Sequence, residues 1–244
     1  MLGFAQQADL AGHLNQLDFR FIGPDGNRTI AAVGEPNNLM VMYVGMASGG
    51  LFKTEDGGTT WRSIFDDQDI SSVSALALAP SDPNQVWAGT GETFLIRPAH
   101  AMGNGIYKST DAGKTFQYMG LKETARIGQI VVDPKNPDIV YVAALGHTYG
   151  PQKERGVYKT TDGGKTWNKL SCESLPKTVE GEAAFAASNT NIVLKGNKVW
   201  IVSGGKKARV FYSSDKGKTW QGIYSTYNKK LDELERQRNA SDKK

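Results

Sequence analysis

TEDGGTTW, running from Thr54 to Trp61, returns as STDAGKTF from Ser109, TTDGGKTW from Thr160 and SSDKGKTW from Ser213. The shared frame is Ser/Thr-x-Asp-x-Gly-x-Thr-Trp/Phe, anchored on Asp56, Asp111, Asp162 and Asp215. A sentence repeated about every fifty residues means stacked copies of one supersecondary unit. Each residue type suits a tight turn. The Asp carboxylate can accept hydrogen bonds from backbone amides two or three residues on. Gly58, Gly113, Gly164 and Gly217 supply a positive φ without a Cβ clash. The following Thr is β-branched and restarts an extended strand. Trp61, Phe116, Trp167 and Trp220 close the frame as apolar plates, each able to bury about 150–250 Å².

The flanking residues agree. GLFKTED, GIYKSTD, GVYKTTD and RVFYSSD alternate apolar and polar residues, the pattern of a half-buried strand. The repeat therefore encodes strand, polar turn, strand and aromatic plug, and its aspartates are read as structural. A calcium loop would need several more oxygen ligands and a closing Glu. One catalytic site has no use for four equivalent turns.

Outward from each turn, a period parses into four strands. In the second period these are SVSALALAP, QVWAGTG, GIYKSTD and TFQYMG. The first is an apolar run bounded by Pro, which fits burial on both faces. SDPN and KNPD are turns between first and second strands. Four blades are legible, at about 28–66, 72–120, 126–171 and 183–224. Residues 1–17 read as a leader and 225–244 as a charged tail able to form a short helix.

These motifs resemble the Asp-box, or bacterial neuraminidase repeat, found in β-propellers. DFRFIGP, ASGGLFKTEDGGTTW, APSDPNQVWAGTGE, GNGIYKSTDAGKTF and RIGQIVVDPKNPDIVYVAALGH place residues 18–168 closer to sortilin-like, glycosyl-hydrolase-like bacterial repeat proteins. Residues 173–222 resemble a blade of the photosystem-stability-factor-like propellers instead. The fold expected is all-β: a propeller of four-stranded blades over 18–224, forming an open arc or a fragment of a larger ring. The resemblance implies a secreted or periplasmic protein.

Composition bounds the function classes. The chain has 244 residues, 28 of them Gly, and a net charge of +4. Its lysines are spread among the turns and the tail, without the clustered basic stripe that nucleic-acid binding needs. No run approaches the ~20 apolar residues of a membrane span. Cys172 is the only cysteine, so no internal disulfide can form. No cofactor and no metal are expected.

Strand direction decides where chemistry can live. The Asp turns join third and fourth strands and so share a face with the first-to-second turns. The opposite face carries the longer loops, where sites gather on rigid scaffolds. GTGETFLIRPAHAMGNG offers Glu92, Arg97 and His100; LGHTYGPQKERG offers His147, Tyr149 and Arg155. The links FDDQDISS and GLKETAR add Asp66, Asp67, Asp69 and Arg126. As ligand-binding residues we expect Glu92, Arg97, His100, Arg126, His147, Tyr149 and Arg155. The catalytic candidates are Glu92, Tyr149, Asp66 and Asp67. No complete catalytic set stands out, so the expectation is a non-catalytic module binding a peptide, protein or carbohydrate. The alternative is a glycoside hydrolase, exo-sialidase-like or glucan-cleaving. A sialidase needs an arginine clamp for a carboxylate, for which Arg28, Arg126 and Arg155 are available. Glucan cleavage needs two opposed acids, which Asp66 or Asp67 with Glu92 could supply.

Overall fold

The computed structural model describes residues 23–93, 101–150, 152–171, 173–174, 177, 179–183, 192–205 and 208–224. The leader, the tail and most of FRFIGP lie outside them, as does the helix expected at 225–244. The described residues are all-β, with a single 3₁₀ turn at Lys122–Thr124. They form four four-stranded antiparallel sheets, the blades of a propeller.

The chain divides into two compact units, residues 1–169 and 170–244. The first unit holds three blades. Blade one is β1 (Thr29–Glu35), β2 (Asn38–Met46), β3 (Leu51–Thr54) and β4 (Arg62–Ser63). Blade two is β5 (Val73–Ala79), β6 (Asp82–Thr90), β7 (Ile106–Ser109) and β8 (Gln117–Tyr118). Blade three is β9 (Ile127–Val132), β10 (Val140–Ala144), β11 (Gly156–Thr160) and β12 (Asn168–Lys169). The second unit holds a two-stranded ladder of β13 (Glu182–Ala183) with β16 (Gly204–Gly205). Beside this ladder in the chain lies blade four: β14 (Ile192–Lys195), β15 (Lys198–Val202), β17 (Arg209–Ser213) and β18 (Gln221–Tyr224).

The repeated sentence makes the same turn four times. In the first, Thr54 Oγ1 donates to Asp56 Oδ1 at 2.8 Å and accepts from the Gly58 amide at 2.9 Å. Asp56 also accepts from the Thr60 amide at 2.8 Å and the Thr60 hydroxyl at 2.6 Å. Asp111, Asp162 and Asp215 repeat this with Thr115, Thr166 and Thr219. The carboxylate therefore reaches the amide four residues on, two farther than an ordinary Asx-turn. The hydroxyl two residues earlier is the hub that the sequence reading had left out. Each turn carries two successive positive φ values, such as 59° at Ala112 and 83° at Gly113. These hydrogen bonds hold the carboxylates down: Asp56 and Asp215 to about 2, and Asp111 and Asp162 lower still, with the Thr side-chain bond the largest cause.

The expected sharing of faces holds in every blade. The amide after each Asp donates to a carbonyl in the first-to-second turn or in the first residues of the second strand: Gly57 to Met40, Ala112 to Asn84, Gly163 to Asp138 and Lys216 to Asn197. The long loops are left at the opposite end.

Packing inside the first unit explains its order. β5 lies between β1 and β9, and all seven of its residues are buried, as its apolar run requires. One face of blade two packs Leu76, Leu78, Val86 and Tyr107 against Tyr43, Leu51 and Phe65 of blade one. Its other face packs Ala75, Ala77, Trp87 and Ile106 against Ile127, Ile130 and Val142 of blade three. At Gly89 a Cβ would stand 2.5 Å from Ile127 Cγ2, so glycine is what lets the two sheets close together. The Asp-turn aromatics are half-buried, and two of them tie neighbouring blades: Phe116 meets Phe65 edge-on at 5.0 Å, and Trp167 meets Trp87 at 6.2 Å. Within each sheet of this unit a lysine lies over the aromatic ring across the ladder: Lys53 on Tyr43, Lys108 on Trp87 and Lys159 on Tyr141. In blade four Tyr212 takes the lysine's place, 5.4 Å from Trp200.

Candidate functional site

The loop face of the first unit is built by what precedes each first strand and follows each second strand. Arg28, Ser72 and Arg126 each stand one residue before β1, β5 and β9. Their carbonyls accept from the amides of Ala47, Gly91 and Leu145, so the three occupy one register position on adjacent blades. Next to this row, the Gly49 and Gly50 amides both donate to Ser71 O, at 3.1 and 2.7 Å. That clamp folds the link after β4 into an open groove of about 340 Å³. Gly49, Gly50, Phe65, Asp66, Gln68, Asp69, Ile70 and Ser71 line it. Phe65 is buried; Asp66 and Asp69 are exposed.

The sequence candidates divide across this face. Glu92 is buried and ion-paired with Arg28 of the neighbouring blade, which commits its carboxylate to structure as well as to any ligand. Arg126 is 3% exposed; its Nε donates to Gly146 O at 2.8 Å and its Nη2 to His147 O at 3.2 Å. Arg155 converges on the same carbonyl at 3.3 Å. Burial first, and then the Arg155 charge, press the Arg126 guanidinium below its usual value. His147 is exposed, its amide bonded to Gln152, and Tyr149 stands 75% exposed on the same loop. Asp66 accepts from Ser63 Oγ at 2.6 Å, and Asp67 is exposed outside the groove lining. Arg97 and His100 lie outside the described residues. So Arg28 and Glu92 are brought together, Arg126 and Arg155 are brought together, and Tyr149 joins neither pair. Ser72 and Gln68 were missed. Alignment of the three blade starts was the signal for Ser72.

Among the described residues no three His, Cys, Asp or Glu gather as a metal site, and no helix is long and apolar enough to cross a membrane.

The face can now be set against known proteins. The family described as "Sortilin, neurotensin receptor 3" (Sortilin-Vps10) matches residues 104–243, more than half of the chain. The chain belongs to the Sortilin-Vps10 family. This Sortilin-Vps10 chain is also similar to a xyloglucanase of Hypocrea jecorina, 24% identical over 83% of the chain and 27% of the relative. A Paenibacillus xyloglucanase is 23% identical over 75% of the chain and 20% of the relative. A solved GH74 enzyme of Niastella koreensis shares the fold with a TM-score of 0.53, at 22% identity, covering 80% of the chain and 29% of the neighbour. The Sortilin-Vps10 chain thus spans about a quarter of the curated relatives it matches. These relatives correct the expectation of a non-catalytic binding or scaffold module: they are enzymes, and the alternative reading fits them better.

Proposed function

We propose that the chain is a segment of a glycoside hydrolase that binds a β-glucan of the xyloglucan type on its loop face. One observation carries this: the curated relatives, aligned over three-quarters or more of the chain, are xyloglucanases. The groove supplies suitable chemistry. Asp66, Gln68 and Asp69 are polar groups that can accept from and donate to sugar hydroxyls, and the clamp of Gly49 and Gly50 onto Ser71 holds their loop in place.

Glycosidic cleavage takes two carboxyl groups, about 5–5.5 Å apart for retention and about 6.5–9.5 Å for inversion. Glu92 is tied to Arg28, so on this reading Asp66 and Asp69 are the acids to test first, with Asp67 beside them. Peripheral Tyr149, His147 and Arg155 extend the same face. A polysaccharide substrate is met outside the cytoplasm, which agrees with a secreted or periplasmic location.

The test is release of reducing ends from xyloglucan by the full-length protein carrying this segment, with a sialoside as control. Xyloglucan is cleaved and the sialoside is not. Asp66→Asn or Asp69→Asn lowers the rate by about 10²-fold or more if that acid is used. Sialoside cleavage, or no glycan cleavage at all, overturns the reading.

A further inference from the structure

Four buried polar atoms of the first unit share one register position and one deficit. Arg28 Nε, Arg28 Nη1, Ser72 Oγ and Arg126 Nη1 have no hydrogen-bond partner. All four belong to the row at the starts of β1, β5 and β9, and all four can donate. Native folds rarely bury donors without acceptors, because each costs its desolvation. The residues are also joined. Arg28 pairs with Glu92; the Gly91 amide donates to Ser72 O at 3.0 Å; and a Cβ on Gly91 would lie 3.0 Å from Arg126 Cα. Arg28 is matched by a carboxylate, whereas Arg126 meets only the backbone carbonyls of Gly146 and His147 among the described residues, with the Arg155 guanidinium on the second of them. The depression of Arg126 by burial is what an uncompensated cation there would show.

We propose that Arg28, Ser72 and Arg126 bind the carboxylate of an acidic sugar, a hexuronate, at the end of the groove. The row follows the groove along the chain: Ser71 lines the groove and Ser72 is the next residue. Arg28, with its side chain 24% exposed, is the point of entry. A carboxylate has the acceptor lone pairs and the charge that the row lacks, and charge-assisted bonds to arginine are the stronger kind. A neutral glucose unit could fill the groove and still leave those donors unmet. The inference rests on the glycan reading of the groove but asks for a group that a plain glucan does not carry.

The experiment is thermal unfolding of the chain and calorimetric titration with D-glucuronate, D-glucose and a xyloglucan oligosaccharide. Glucuronate raises Tm and binds, while glucose at the same concentration does neither. Ser72→Ala removes a hydroxyl with no partner, so it leaves the ligand-free Tm in place and weakens glucuronate binding by about tenfold. Paired Arg28→Gln and Glu92→Gln, which keeps the Arg28–Glu92 position neutral, abolishes the glucuronate response. Equal responses to glucuronate and glucose, no response to glucuronate, or unchanged glucuronate affinity in Ser72→Ala each overturn the proposal. Xyloglucan binding without glucuronate binding removes this inference and leaves the glucan reading standing. Failure of both sugars removes both.

Discussion

The described residues hold two arginine–glutamate pairs with a buried carboxylate, one in each unit, and they are finished to different degrees. In the second unit Arg209 Nε donates to Glu182 Oε1 at 2.8 Å, its Nη2 reaches Oε2, and Nη2 also donates to Lys177 O at 2.7 Å. Glu182 accepts further from Ser203 Oγ and, at 3.0 Å, from the Val179 amide. In the first unit Arg28 touches Glu92 through one nitrogen and leaves Nε and Nη1 unmet. The same two side chains therefore serve as a staple in one place and as an incomplete site in the other. Counting partners separates the cases, because a buried ion pair is favourable only when its remaining donors and acceptors are satisfied.

The comparison breaks most visibly at the staple. Glu182→Ala leaves Arg209 buried without its main partner and costs about 3–5 kcal/mol, read as a lowered midpoint in chemical denaturation of the second unit. Glu92→Ala, the matching change in the first unit, leaves an Arg28 side chain that is 24% exposed and can reach water, and costs less, about 1–3 kcal/mol. Equal losses would erase the distinction.

Acid sharpens it next. The Arg209 hydrogen bond, followed by those from Ser203 and Val179, holds the Glu182 carboxyl at about 2, against an ordinary 4.5. A folded-state value below the unfolded one means stability that is complete above about pH 4.5 and lost as pH falls through about 2. The four Asp turns act in the same sense. Glu182→Gln flattens part of this acid limb, measured as unfolding free energy against pH from 7 to 2. A profile identical to the parent would show that the staple carries none of it. The smallest effect is at Ser72→Ala, where the ligand-free stability stays within about 0.5 kcal/mol. A larger loss would mean that the hydroxyl is already satisfied.

How much was legible follows from range. The Asp turns were readable because every partner lies within about four residues, and strand alternation then fixed which face carries the loops. β5 announced its burial through a run that is apolar apart from Ser74. Arg28 and Glu92 are 64 residues apart and meet only because adjacent blades bring their starts and ends together. Nothing local to either residue encodes that. Arg209 and Glu182, 27 apart, were hidden in the same way. The tight approach at Gly89 was equally silent, since a strand glycine looks alike whether it marks a bulge or a neighbour's side chain. The mistaken expectation of a non-catalytic module came from weighing a missing catalytic signature as though it were evidence.

The most direct test is hydrogen exchange of backbone amides with and without a xyloglucan oligosaccharide. Protection should rise at Gly49, Gly50 and the 65–71 link, while the Asp turns at 54–61, 109–116 and 160–167 stay unchanged. Protection confined to the Asp turns, or none on the loop face, would contradict the account.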